Sequence, residues 1–173
     1  MHKEALRMDR LIKGKVWKFG DNVDTDVITP TKYLSLPHEE MKDHTLEPIN
    51  PRFAKEVQPG DIVVGGKNFG CGSSRETAVT ALKALKIGAV VAESFARIFF
   101  RNAIAQGVPI LTCPEAPQYF EAGDEAEVDI KKATVKNINQ DHLIQGIALA
   151  PDMLAIVEKG GILSLLKEKL RGS

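Results

Sequence analysis

The chain has 173 residues, and its 23 basic and 23 acidic side chains give a formal net charge of zero at pH 7. Because it has neither a basic cluster nor an acidic tail, a nucleic-acid partner is not expected. Its apolar runs fall well below the ~20 residues that cross a bilayer, and its start lacks the apolar stretch of a signal peptide. We predict one cytoplasmic domain over residues 1–173 without membrane contact, in which residues 1–10 are either ordered or a loose leader.

The first predicted element is a strand in "LIKGKVWKFG" (11–20), where apolar and charged residues alternate. A long irregular stretch follows over residues 21–60, rich in Asp, Asn, Thr and Pro. Loops of that length are uncommon in compact domains and are either disordered or functional. We expect order here, because the stretch contains side chains suited to burial: Tyr33, Leu34, Leu36 and Phe53.

Strands and helices alternate beyond residue 60. The pattern predicts strands over 61–66, 89–94 and 108–113, a helix over 74–86 ended by Gly88, and a helix over 94–106 capped by Ser94 and stopped by Gly107. This alternation favours parallel strands with crossover helices, so both serine-led helix starts should lie at the carboxyl ends of strands. An α/β fold is therefore expected.

The chain after Pro114 changes its periodicity. "AEVDIKKATVKNI" is typical of a two-stranded ribbon on a short turn. "DMLAIVEKGGILSLLKEKL" is typical of two helices separated by the glycine pair at 160 and 161.

The segment "GGKNFGCGSSRETAVTALKAL" (65–85) is the strongest candidate site. One interpretation is structural, since Ser73 and Glu76 have the spacing of a capping box. That interpretation leaves unexplained the glycines before the turn and Arg75 in a first helical turn, where positive charge is mildly unfavourable. Helix-start amides, two hydroxyls and a guanidinium suit a bound carboxylate or phosphate. The segment does not match GxxxxGK[ST], so a nucleotide P-loop is not expected.

Other chemistry-bearing residues point to no cofactor in this chain. Cys71 and Cys113 are too few to hold an iron-sulfur cluster and form no CxxC pair, and the four histidines share no metal-ligand spacing. Cys71 is expected to be a small buried residue, although a nearby helix start could lower its pKa. His38 and His44 are expected to be solvated in the loop. Arg97 and Arg101 could face a site, a partner chain or solvent.

Three segments, "GDNVDTDVITPTKYL", "GKNFGCGSSRETA" and "ESFARIFFRNAIAQGVP", carry a family resemblance in their order and spacing. Together they resemble the swivelling domain of the aconitase superfamily, and more narrowly the separate small subunit of the 3-isopropylmalate dehydratase and homoaconitase group. The resemblance implies a three-layer β/β/α swivelling domain. It also implies a large partner subunit that carries a four-iron, four-sulfur cluster, while this chain binds no metal or cofactor itself.

The resemblance also implies roles for individual residues. Ser73 corresponds to the base that removes a proton from the carbon beside a carboxylate. A serine hydroxyl can do this only where helix-start amides and a cation stabilise its ionised form and water is excluded. Ser74 and Arg75 correspond to substrate-binding residues, and Asp26 to an active-site aspartate that orients polar groups around the base. Asp26 could also be a simple turn-capping residue.

The loop "YLSLP" (33–37) is implied to set substrate specificity through Leu34, Ser35 and Leu36. Homoaconitase-type subunits have an arginine where this chain has Ser35. Without that arginine, a third substrate carboxylate would lie unpaired in a dry site, which disfavours it. An apolar substituent such as the isopropyl group of a malate-type substrate is favoured. Ser35 is polar where an apolar residue is usual, so 2,3-dimethylmalate stays open.

The function expected is therefore that of a hydro-lyase subunit in leucine biosynthesis, active only with its large subunit. The alternatives are a subunit of homoaconitase or 2,3-dimethylmalate dehydratase, or a non-catalytic module that binds carboxylates for regulation. Self-association of the chain in isolation is left open.

Overall fold

The computed structural model describes residues 11–172, so the expectation for residues 1–10 lies outside it. The strands are β1 Ile12–Lys18, β2 Ile62–Gly65, β3 Ala89–Ala92, β4 Ile110–Thr112, β5 Glu125–Asp129, β6 Thr134–Asn137 and β7 His142–Gln145. The α-helices are α1 Thr25–Ile28, α2 His38–Met41, α3 Phe53–Glu56, α4 Glu76–Ala84, α5 Arg97–Gln106, α6 Ala116–Tyr119, α7 Pro151–Glu158 and α8 Ile162–Arg171. Short 3-10 helices lie at Thr31–Tyr33 and Lys42–His44. In this part of the chain, every helix is too short or too polar to cross a membrane.

The seven strands form one sheet in the order β4-β3-β2-β1-β5-β6-β7. Strands β1 to β4 pair in parallel, as the alternation of strands and helices predicts. Strands β5 to β7 pair antiparallel and join the parallel half through β1 and β5. The predicted ribbon is β5 with β6. Strand β7 was not predicted, because "HLIQ" is short and follows a polar turn.

The sheet separates two hydrophobic clusters, and side chains along each parallel strand alternate between them. Val63, Val90 and Ile110 face the first cluster, which packs against α4, α5 and α7. The neighbouring residues on the same strands face the second cluster with side chains from the antiparallel half, among them Val128, Val135 and Ile144. The sheet thus curls over itself, and its two ends meet at an isolated bridge between Thr112 and Ile147. These are the three layers of a β/β/α fold.

The irregular stretch over 21–60 is ordered and forms the connection from β1 to β2. Phe53 is fully buried, and its ring makes edge contacts with Trp17 at 5.3 Å and Phe19 at 5.6 Å between ring centroids. The expectation of order is confirmed. Leu34 and Leu36, however, are only half-buried.

Two predicted helix boundaries are wrong. Ser94 does not cap α5, since its Oγ accepts a hydrogen bond from the backbone N–H of Asn68 at 2.8 Å, and the N-cap is Ala96. Gly88 does not end α4, because Lys86 takes the left-handed conformation at φ +59°. Gly88 instead lies against the backbone of Gly60, where a Cβ would come within 2.4 Å of the carbonyl oxygen. Gly107 ends α5 at φ +77°, as predicted.

Candidate active site

The site is built where two loops at the carboxyl ends of β1 and β2 run side by side. The loop after β1 pairs with the loop after β2 through two backbone hydrogen bonds, from Gly70 N to Val23 O at 2.7 Å and from Thr25 N to Cys71 O at 2.8 Å. Parallel strands end at the same edge of a sheet, so the register of β1 and β2 fixes which residues of the two loops meet. This pairing brings residues 24–26 next to residues 71–75.

Glycines make the close approach feasible at two positions. Gly70 has φ +83°, and a Cβ there would lie 2.1 Å from Cγ of Phe99. Gly72 has φ +97°, and a Cβ there would lie 3.4 Å from Oγ1 of Thr25. The turn before Ser73 therefore requires residues without side chains.

The predicted capping box at Ser73 is wrong. The N-cap of α4 is Arg75, no side chain caps this helix, and Glu76 is its first residue. Ser73 lies two residues before the cap, and its backbone carbonyl accepts a hydrogen bond from Arg75 N at 2.8 Å. The interpretation of Ser73 as a helix cap is therefore wrong, because its side chain does not cap α4.

Ser73 is exposed, and its side chain contacts the buried Thr25. The Oγ atoms of Thr25 and Ser73 are 3.2 Å apart, and the Thr25 hydroxyl also lies 3.0 Å from the Ser73 carbonyl oxygen. Thr25 is only 2% exposed. Sequence reasoning missed Thr25, since in "DTDVITP" nothing marks it beside two aspartates with more obvious chemistry. Ser74, the next residue, is also exposed.

Arg75 forms a network with the first loop. Its Nη1 lies 2.6 Å from Oδ1 of Asp26 and donates to the Thr29 carbonyl oxygen at 3.4 Å and to Thr31 Oγ1 at 3.2 Å. Asp26 therefore contacts Arg75, and the hydroxyl of the preceding residue, Thr25, contacts Ser73. All three contacts of the guanidinium use Nη1, so its Nε–Nη2 edge makes no hydrogen bond within residues 11–172. That edge has the geometry to receive both oxygens of a carboxylate.

The predicted specificity residues lie in the turn after the 3-10 helix Thr31–Tyr33. Leu34 and Leu36 are half-buried and Ser35 is exposed. No hydrogen bond joins these three to Ser73 in the described part of the chain. Their connection to the site is the contact between Arg75 and Thr31, a few residues earlier.

A cluster of Tyr33, His44 and Glu47 holds this turn. The Tyr33 hydroxyl donates to Glu47 at 2.9 Å, His44 Nδ1 lies 2.6 Å from the other carboxylate oxygen, and the Tyr33 and His44 rings stack with centroids 3.7 Å apart. The hydrogen bonds from His44 and then Tyr33 lower the pKa of Glu47. The expectation that His44 is a freely solvated loop residue is wrong, whereas His38 is exposed as expected.

Neither cysteine has the properties of a nucleophile. Burial raises the pKa of the Cys71 thiol, and the negative charge of Asp24 raises it further, so the suggested lowering by a helix start is wrong. Burial likewise raises the pKa of Cys113. The described residues contain no group of three or more His, Cys, Asp or Glu side chains that could hold a metal ion. Arg97 and Arg101 are exposed on α5.

Known proteins resemble this chain over nearly its whole length. Residues 14–116 match the family model of the aconitase C-terminal domain. The chain is 47% identical over 167 residues to the isopropylmalate/citramalate isomerase small subunit of Methanocaldococcus jannaschii, covering 96% of this chain and 99% of that protein. It is 48% identical over 165 residues to the 3-isopropylmalate dehydratase small subunit of Aquifex aeolicus, covering 94% and 98%. A crystal structure of 3-isopropylmalate dehydratase from Methanocaldococcus jannaschii superposes with a TM-score of 0.87 at 41% identity, over 92% of this chain and 95% of that one.

Proposed function

The chain belongs to the 3-isopropylmalate dehydratase small subunits, within the family of the aconitase C-terminal domain, and on that premise we propose that Ser73, Arg75 and Asp26 form its half of a shared active site. The enzyme is a hydro-lyase that acts in leucine biosynthesis, and the chain requires a large subunit as its partner. The reaction converts 2-isopropylmalate to isopropylmaleate by loss of water, and then to 3-isopropylmalate by addition of water. We place the assembly in the cytoplasm.

The exposure of Ser73 carries the proposal. Bulk water protonates a serine alkoxide, and fixed hydrogen-bond donors stabilise the ion strongly only where water is excluded. Ser73 is exposed, and its side chain contacts Thr25 on one side. The large subunit would cover the other side and exclude water. The isolated chain should accordingly be inactive.

In this proposal the iron-sulfur cluster is bound by the large subunit. Residues 11–172 lack a set of side chains that could bind a metal, and two thiols are too few for an iron-sulfur cluster. A four-iron, four-sulfur cluster on the partner would supply a Lewis acid that assists departure of hydroxide. The remaining chemistry is assigned to side chains of this subunit.

Ser73 is the proposed base. Its ionised Oγ takes a proton from the carbon beside the substrate carboxylate, and the electron pair of that C–H bond becomes the carbon–carbon double bond as hydroxide leaves. Helix α4 begins three residues after Ser73 and has no side-chain cap, so the partial positive charge at its start would be available to stabilise the ionised oxygen. The same hydroxyl returns a proton during rehydration.

Arg75 and Ser74 are the proposed carboxylate ligands. The Nε–Nη2 edge of Arg75 would bind the two oxygens of one carboxylate, while Asp26 fixes the orientation of the guanidinium through Nη1. Ser74, exposed beside Ser73, would donate to the same group. The assignment explains why an arginine lies at a helix start, where its charge alone is unfavourable.

The turn at 34–36 is the proposed wall for the variable substituent. The half-buried Leu34 and Leu36 suit a small branched hydrocarbon, and burying three carbons contributes about 2 kcal/mol. The exposed Ser35 supplies no positive charge for a third carboxylate. A smaller malate derivative, citramalate, is named in a relative that is 47% identical, and it belongs in the same assay.

Coexpression with the large subunit from the same source tests the proposal. The purified complex should be brown, contain iron and sulfide, and convert 2-isopropylmalate faster than citramalate, homoaconitate or 2,3-dimethylmalate. Ser73→Ala should lower kcat about 100- to 10,000-fold with little change in KM. Ser164→Ala, at an exposed serine on α8, is the control. Near-normal turnover by the Ser73 variant would show that another group is the base.

A further inference from the structure

We infer that Thr25 is a positioning residue whose hydroxyl switches its hydrogen bond from the Ser73 carbonyl oxygen to the Ser73 Oγ when that oxygen ionises. The inference rests on the proposed function of Ser73 as the base. It concerns a buried threonine rather than a group that touches the substrate.

Hydrogen-bond counting gives the resting arrangement. A threonine hydroxyl has one proton to donate, and a carbonyl oxygen can only accept. If Thr25 donates to the Ser73 carbonyl at 3.0 Å, then in the 3.2 Å contact between the two hydroxyls Ser73 must be the donor. The serine proton then points into the protein and away from the exposed side of Ser73.

Loss of the serine proton reverses this contact. An ionised Oγ can only accept, so the Thr25 proton must turn toward it. Both acceptors already lie within hydrogen-bond distance of Thr25 Oγ1, and the change therefore requires rotation of a hydroxyl without movement of heavier atoms. The new bond is charge-assisted and stronger than the one it replaces.

The Ser73 carbonyl does not lose its last partner in the switch. It also accepts a hydrogen bond from the backbone N–H of Arg75 at 2.8 Å. An unsatisfied carbonyl would offset much of the gain, and here none is created.

The surroundings hold Thr25 in place for this role. Its backbone N–H donates to the Cys71 carbonyl at 2.8 Å, and its own carbonyl accepts from the Thr29 hydroxyl at 3.2 Å. The missing side chain at Gly72 leaves the space beside Oγ1. A fixed donor that needs no reorganisation stabilises developing charge better than a mobile one.

The test compares Thr25→Val and Thr25→Ser in the complex with the large subunit. Valine keeps the shape and removes the hydroxyl, and we expect kcat for 2-isopropylmalate to fall about 10- to 100-fold with KM nearly unchanged. The rise of kcat with pH should move to higher pH, because the ionised serine is less stabilised. Thr25→Ser should recover most of the activity and the original pH profile.

A matched control separates this role from packing. Thr45 is also buried, and its hydroxyl donates to the Lys42 carbonyl rather than to Ser73, so Thr45→Val should lower the melting temperature without changing the pH profile. Wild-type kcat in Thr25→Val would overturn the inference, as would a loss of activity that serine does not recover and that leaves the pH profile unmoved. If the wild-type complex itself fails to convert 2-isopropylmalate, the proposed function fails instead.

Discussion

Replacing Arg75 by lysine separates the contribution of its charge from that of its planar shape. Lysine keeps the positive charge beside Asp26 but cannot present two parallel N–H groups to a carboxylate. The Arg75 side chain is 24% exposed and Asp26 is 58% exposed, so their ion pair lies near solvent, and its change should alter the free energy of unfolding by less than about 1 kcal/mol.

The effect on substrate binding should be much larger. Hydrogen bonds to a charged group contribute about 1.5–3 kcal/mol, so loss of the bidentate pair should lower kcat/KM about 10- to 100-fold. Thermal melts and steady-state kinetics of the reconstituted complex with 2-isopropylmalate measure the two quantities. Arg52→Lys is the control, because Arg52 pairs with Glu56 on the surface with 76% of its side chain exposed.

Two results would refute this reasoning. If Arg75→Lys leaves kcat/KM within twofold of the wild type, the guanidinium does not bind the substrate carboxylate. If the variant instead unfolds well below the wild type while keeping its activity, Arg75 is a structural residue that holds the first loop. The Arg52 control should show neither effect.

Three further predictions concern the surroundings of the site. Gly70→Ala forces a side chain onto a left-handed backbone and against Phe99, so denaturant melts should show a loss of stability of more than about 2 kcal/mol. Gly20→Ala is the control and should be nearly neutral in those melts, because a Cβ at Gly20 meets no atom within 4 Å. The pKa of Glu47 is lower in the folded chain than its ordinary value of 4.5, so its stabilising contribution is present above that pH and is lost as the pH falls through the folded value. The difference in stability between the wild type and Glu47→Gln should therefore shrink in melts from pH 6 to about pH 3. A constant difference would contradict this. Because its pKa is raised, the Cys71 thiol should react with iodoacetamide at pH 7.5 more slowly than glutathione does. Comparison with Cys71→Ser identifies which thiol reacts. A reaction faster than that of glutathione would show that Cys71 is an activated thiolate.

Sequence patterns predicted the elements whose signals are local. Alternating strands and helices between residues 61 and 113 predicted the parallel strands that the structure contains. The motif around Ser73 predicted the position of the candidate site, and its function stays a prediction. The layer arrangement was implied only by family resemblance, because curling of the sheet depends on pairing between β1 and β5, more than a hundred residues apart.

Long-range contacts explain what sequence reasoning missed. Ser73 and Ser94 have the spacing of helix caps, yet both side chains bond to distant segments, Thr25 and Asn68, and the helices start later. The contact between Thr25 and Ser73 depends on which residues of the loops after β1 and β2 lie side by side, and the register of those two strands decides this. A sequence read alone contains no signal for that register.

The cluster of Tyr33, His44 and Glu47 has a consequence for how such enzymes diverge. It anchors the turn proposed to select the substrate from within the connection between β1 and β2, while the strand register and the glycine turn position Ser73, the proposed base. If these assignments hold, changes at 34–36 should alter which acid is accepted while leaving the position of Ser73 unchanged. Gene duplication followed by exchange of this one loop offers a short evolutionary route from one malate derivative to another.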